Sequence, residues 1–154
     1  MTLDEAVALS LMSDLSRVGL TGLRTGDPAL RERARALRDR ARLVRSQAES
    51  NGIHVLPWHA PGFPTALLAV PDMPPVLWYR GDLDALCVLA VAIVGSRAAS
   101  VFALEIAAKL GADLAARGIT VVSGLARGVD SSAHRGALRS GRTVAVLGSG
   151  IDRI

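Results

Sequence analysis

The sequence predicts an α/β fold built on an open parallel sheet with crossover helices. Three observations carry this. Apolar runs at residues 91–94, 119–122 and 143–147 each break into a loop containing glycine. Helical patterns follow at least the first two loops. All three loops stand at the carboxyl ends of their strands, where open α/β sheets bind ligands. The loops read Gly95-Ser96-Arg97, Ser123-Gly124-Leu125-Ala126-Arg127-Gly128 and Gly148-Ser149-Gly150. They are built of small residues and the first two carry an arginine, so the expected ligand is an anion, phosphate foremost.

Upstream of the sheet the chain reads as helical. Residues 3 to about 17 have helical content, with Asp4 and Glu5 in the first turn. Gly19, Gly22 and Gly26 then punctuate the chain, and Asp27-Pro28 restarts it. Leu30, Ala34, Leu37, Ala41, Val44 and Ala48 form one stripe at helical spacing, and Gly52 closes that helix. Arg31, Arg35, Arg38, Arg42 and Arg45 run beside it. Two readings of these arginines are open: a face that tracks phosphates, or a solvated face whose stems cover apolar surface.

Six of the 7 prolines fall between residues 57 and 75, which predicts an ordered or extended connector without helix. Val76-Leu77-Trp78-Tyr79-Arg80 reads as a short strand ended by Gly81-Asp82. In the sheet region, Ser100 is placed to cap a helix through about Arg117, with Gly118 as its stop. Its expected buried face is Leu104, Ala107, Ala108, Gly111 and Leu114. A shorter helix begins at Asp130-Ser131-Ser132 and ends near Gly141.

Composition narrows the function classes. The 154 residues are 50% hydrophobic and 21% charged, with a mean hydropathy of +0.34, enough apolar material for a core. No run approaches the roughly 20 apolar residues of a membrane span, and the acidic start lacks the cationic opening of a secretory signal. The expectation is a soluble cytoplasmic protein with no membrane partner. The single cysteine, Cys87, excludes an internal disulfide and lies in an apolar run, which predicts a small buried hydrophobe. The net charge of +4 favours polyanionic partners modestly. Arginine dominates the basic residues, Lys109 being the only lysine. Arginine suits phosphate through its planar fork; codon bias in a GC-rich genome would produce the same enrichment.

The glycine loops lack the standard nucleotide grips. A dinucleotide site needs G-x-G-x-x-G after the first strand and an acid closing the second. Here the first loop has only Gly95 and the second strand closes on Ser123-Gly124. No Gly-Lys-Ser/Thr occurs, so a Walker A loop is absent. What remains is a phosphate crevice in which Gly95 and Gly124 allow close approach and both helix starts offer free N–H groups. Arg97 and Arg127 supply charge at the rim. His134 stands one turn into the second helix, where a lone histidine is usually structural. No nucleophile–base pair, metal cluster or carboxylate pair is evident.

The blocks Val91-Ala92-Ile93-Val94-Gly95-Ser96-Arg97, Val121-Val122-Ser123-Gly124-Leu125-Ala126-Arg127-Gly128-Val129-Asp130, Ala133-His134-Arg135-Gly136-Ala137-Leu138 and Val144-Ala145-Val146-Leu147-Gly148-Ser149-Gly150-Ile151-Asp152-Arg153-Ile154 closely resemble the DNA-processing protein A (DprA/Smf) family. The stretch Pro71-Asp72-Met73-Pro74-Pro75-Val76-Leu77-Trp78-Tyr79-Arg80-Gly81 resembles it more loosely, and Val18-Gly19-Leu20-Thr21-Gly22 looks like a degenerate version of its N-terminal helix–hairpin. The resemblance implies a Rossmann-like domain that binds single-stranded DNA and, in natural transformation, passes it to the RecA recombinase. It implies no catalytic residue, metal or cofactor. By position it assigns DNA binding to Gly95, Ser96, Arg97, Ser123, Gly124, Arg127 and Gly128. The expected organisation is a helical N-terminal region (1–52), a proline-rich connector with a short strand (53–87) and the first half of the Rossmann-like domain (88–154). The family continues past the third loop through a Tyr-Pro element to its homodimer surface. The expectation is therefore an N-terminal fragment with an incomplete parallel sheet. The rival class is a Rossmann-like nucleotide phosphoribohydrolase; its Pro-Gly-Gly-x-Gly-Thr motif does not occur here.

Overall fold

The computed structural model describes residues 1–12 and 27–152. The glycines at 19, 22 and 26, the 18–22 motif, the end of the first predicted helix, Arg153 and Ile154 lie outside the described residues. The chain forms two compact units, residues 1–81 and 82–154.

The first unit is organised around a short helix, α1 (Leu3–Ser10). A reciprocal cap starts it: the Thr2 amide donates to Glu5 Oε2 at 2.8 Å and the Glu5 amide donates to Thr2 Oγ1 at 3.2 Å. Ala6, Val7, Ala8 and Leu9 are all buried, packed against Leu30, Ala34, Ala41 and Val76. The long helix expected from residue 30 is two helices, α2 (Pro28–Ala36) and α3 (Arg38–Ser50). They meet at Leu37, whose amide bonds Ala34 three residues back rather than four. The break falls inside an unbroken apolar stripe, so periodicity alone does not register it.

The arginines beside that stripe have a third role that neither sequence reading contains. Arg42 Nε lies 2.9 Å from Asp4 Oδ2, Arg45 Nε 3.2 Å from Asp4 Oδ1, and Arg38 Nη2 3.5 Å from Glu5 Oε1. They pair α3 to the acidic first turn of α1.

The proline-rich stretch is ordered but not free of helix. It contains β1 (His54–Pro57), one helical turn, α4 (Thr65–Leu68), and β2 (Val76–Tyr79). Pro64 sits just ahead of that turn, where its fixed φ is tolerated. β1 and β2 pair antiparallel, from His54 opposite Tyr79 to Pro57 opposite Val76. Both strands belong to the first unit.

The second unit has a Rossmann-like α/β arrangement. After a 3₁₀ turn (Leu83–Leu86) come β3 (Ala90–Ala92), α5 (Val101–Ala115), β4 (Thr120–Ser123), α6 (Val129–Ala137) and β5 (Thr143–Ala145). The strands are parallel in the order β3-β4-β5, with Val91 opposite Val121 and Val121 opposite Thr143. Cys87 follows the 3₁₀ turn and is exposed, not buried: the apolar run around it is not a strand, so no sheet covers it.

The two crossover helices pack on each other and on β4. Their approach depends on reciprocal glycines. A Cβ on Gly111 of α5 would collide with the Ala133 carbonyl oxygen, and one on Gly136 of α6 with that of Ala108. Ala115, Val121, Ala133 and Ala137 fill the space beneath. Ser100 caps α5 by accepting from the Ala103 amide at 3.3 Å, and Gly118, at φ +75°, follows its end as expected.

Candidate nucleic-acid interface

The loops after β3 and β4 form one interlocked structure. Gly128, the residue capping α6, has φ +88°, and a Cβ there would collide with the Ser96 carbonyl oxygen. The Val129 amide donates to that oxygen at 3.2 Å. The Val129 side chain lies under Gly95, where an added Cβ would meet it at 2.8 Å. Below the loops, Ser123 Oγ donates to the Ile93 carbonyl at 2.6 Å. Leu125 adopts φ +59°, rare for a side-chain-bearing residue, at the tip of the second loop.

Asp130 joins the two loops from inside. Its Oδ2 accepts from the Gly124 amide at 3.1 Å and its Oδ1 from the Gly95 amide at 3.4 Å. Burial opposes its ionisation, but the surrounding donors outweigh that and hold its carboxyl below the usual range. These donors include the Gly124, Gly95 and Ala126 amides. The Ser123 hydroxyl lies beside the carboxylate too, although its hydrogen goes to Ile93.

This changes the expected picture of the helix starts. At the start of α6, two first-turn amides are already used: Val129 donates to Ser96 at 3.2 Å and Ser131 to Ala126 at 3.1 Å, before the helix's own bonding begins with Ser132 to Gly128. Two of the N–H groups expected to be free there are therefore engaged, because carbonyls of both loops reach over the helix start. At the rim, Arg97 and Arg127 are exposed, and neither makes an ion pair or side-chain hydrogen bond with another described residue. The contrast with the paired arginines of α3 is direct.

His134 is buried and structural. Thr143 Oγ1 gives its hydrogen to the Val121 carbonyl at 2.7 Å, so it accepts from His134 Nδ1 at 2.7 Å. The ring is then the Nδ1–H tautomer, with Nε2 buried and without a partner. Burial pushes its pKa down; the Asp130 charge and the Ser123 carbonyl offset only part of that.

Gly95, Ser96, Arg97, Ser123, Gly124, Arg127 and Gly128 therefore come together around two loops. Among the described residues no hydrogen bond joins Gly148-Ser149-Gly150 to them. Sequence reasoning missed Asp130 as the joint. The available signal was an acid at the second position of a helix that opens directly from a glycine loop.

Comparison with known proteins agrees with this architecture. The family model for DNA recombination-mediator protein A matches residues 54–154. Protein Smf of Escherichia coli is 42% identical over 102 residues, covering 66% of this chain and 27% of that protein. A putative DNA processing protein DprA of Mycobacterium tuberculosis is 51% identical over 82 residues, covering 51% of this chain and 21% of its own. The crystal structure of DNA processing protein A from Streptococcus pneumoniae superposes with a TM-score of 0.74 at 27% identity, covering 100% of this chain and 60% of that one. The chain belongs to the DprA/Smf family of DNA-processing proteins. It spans about a quarter of the length of the first two of these relatives. No described helix is long and apolar enough to cross a membrane.

Proposed function

We propose that this protein binds single-stranded DNA through the interlocked loops, with Arg97 and Arg127 as the principal phosphate ligands. The observation that carries the reading is that these two arginines are exposed and unengaged on loops held rigid from beneath. Guanidinium groups fixed at one rim bridge successive phosphates without reading bases. Aromatic residues make up only 3% of the chain, so few bases have a stacking partner and sequence preference is slight. In the cell the bound strand is protected and handed to the RecA recombinase, a cytoplasmic role in transformation and recombination. Ser96, Gly124 and Gly128 shape the rim, and Ser123 and Gly95 hold it to the sheet. The test is titration of a fluorescent single-stranded oligonucleotide at several salt concentrations. Affinity falling steeply with salt supports the reading; no binding at low salt, or equal affinity throughout, defeats it.

A further inference from the structure

Among the described residues Asp130 is the only buried acid, and in the reading above it serves only to hold the two loops together. We propose that Asp130 is the internal anion of the loop pair, closing the Gly95 and Gly124 amides to free phosphates. The interface then takes a polynucleotide backbone through arginine and refuses a terminal phosphate through the amides. The second clause rests on the DNA-binding reading; the first does not.

The two amides come from the ends of adjacent parallel strands and converge on one carboxylate, one oxygen each. That is the position an oxyanion takes when glycine loops cradle a phosphate. The fit is tight: a Cβ on Gly124 would lie 3.0 Å from Asp130 Oδ2. Asp130 also stands in the first turn of α6, where the helix dipole favours its charge. His134, one turn further along the same helix, is buried and bonded to Thr143. A nucleotide phosphate entering here would have to displace a carboxylate that cannot leave and would meet its negative charge. Phosphodiesters outside the loops face only the arginines. Asp130 is thus a positioning and specificity-determining residue.

The experiment compares the full-length wild type with Asp130→Ala and Asp130→Asn. Calorimetry with inorganic pyrophosphate and with an oligo-dT strand is combined with amide exchange at Gly95 and Gly124 by NMR. In the wild type both amides should be protected and pyrophosphate should not bind. In Asp130→Ala their exchange should speed up at least about tenfold, consistent with a lost hydrogen bond. Pyrophosphate should then bind and slow that exchange, a gain that a merely structural residue would not give. Asp130→Asn keeps one acceptor without the charge, so it should gain less pyrophosphate binding and retain more oligo-dT affinity. A folded Asp130→Ala with both amides still protected, or with pyrophosphate binding equal to wild type, overturns the proposal. Should that variant not fold, an Asp130→Asn pyrophosphate affinity no different from wild type overturns it. Failure of the wild type to bind oligo-dT at low salt defeats the DNA reading while the pyrophosphate result still decides the role of Asp130.

Discussion

Gly128 and Ser96 touch backbone to backbone, in a contact that leaves no room for any side chain at position 128. The left-handed φ of +88° adds a second reason for glycine there. Gly128→Ala is expected to destabilise the second unit by about 2 kcal/mol or more, combining backbone strain with steric displacement. It should also weaken oligonucleotide binding, because the loops would separate. Denaturant unfolding with a parallel binding titration checks both; an unchanged midpoint would mean that the loops do not interlock.

Arg97 is expected to matter more for DNA than any arginine of α3. Arg97→Ala should lower affinity several-fold and reduce the slope of log affinity against log salt by about one. The Arg38→Ala/Arg42→Ala double variant should leave affinity nearly unchanged and instead loosen the first unit, because those side chains pair with Glu5 and Asp4. A larger affinity loss in the double variant would reverse the assignment.

The two arginine sets show which parts of the molecule were legible in the sequence. The three parallel strands, the cap at Ser100 and the glycine stop at Gly118 are local patterns, and they stand where periodicity and capping chemistry put them. The fate of the α3 arginines was not legible, since their partners, Asp4 and Glu5, lie more than thirty residues earlier and pairing depends on how α1 packs. The exposure of Cys87 was hidden for the same reason: an apolar run does not announce what covers it. In the site, the glycines and arginines were legible as composition. The engagement of the Val129 and Ser131 amides was not, because it depends on how the two loops meet over the start of α6.

Strong acid, below about pH 4, should weaken the N-terminal unit. The Arg42 guanidinium beside Asp4, and the Thr2 amide beside Glu5, hold both carboxyls below their ordinary values. A depressed folded pKa contributes stability that is present above the unfolded value, about pH 4, and is lost as pH falls through the folded value. The unit should therefore hold its stability down to about pH 4 and lose it progressively below. Asp4→Asn should be less stable at neutral pH and show a flatter decline in acid. Urea midpoints measured from pH 7 to pH 2 test this, and parallel curves for the two proteins would exclude the pairing.

His134 should give the second unit a separate pH dependence at higher pH. Its folded pKa lies below the unfolded value of about 6.5, so the unfolded chain binds the proton more readily. Stability should then fall as pH drops from about 7 toward the folded pKa. His134→Gln should remove that slope while costing stability at pH 8, where the bond to Thr143 is intact in the wild type. A slope that survives the substitution would assign the effect to another group.

The chain should self-associate with a second copy of itself. Parallel strands are apolar on both faces, and an uncovered edge strand templates pairing. β3 is an edge of the described sheet, with Val91 exposed on it and Val94 exposed just beyond its end. On α5, Phe102, Ile106 and Leu110 recur every four residues, so they form one line along the helix, and all three are exposed, Phe102 by 71%. An exposed apolar line of this kind marks an association site. Sedimentation of the full chain should show a mass that rises with concentration. Phe102→Ser combined with Ile106→Ser should shift it toward monomer without lowering the unfolding midpoint, since neither side chain is buried. A monodisperse monomer at high concentration, with wild-type Phe102 and Ile106 in place, would show that these exposed faces do not pair.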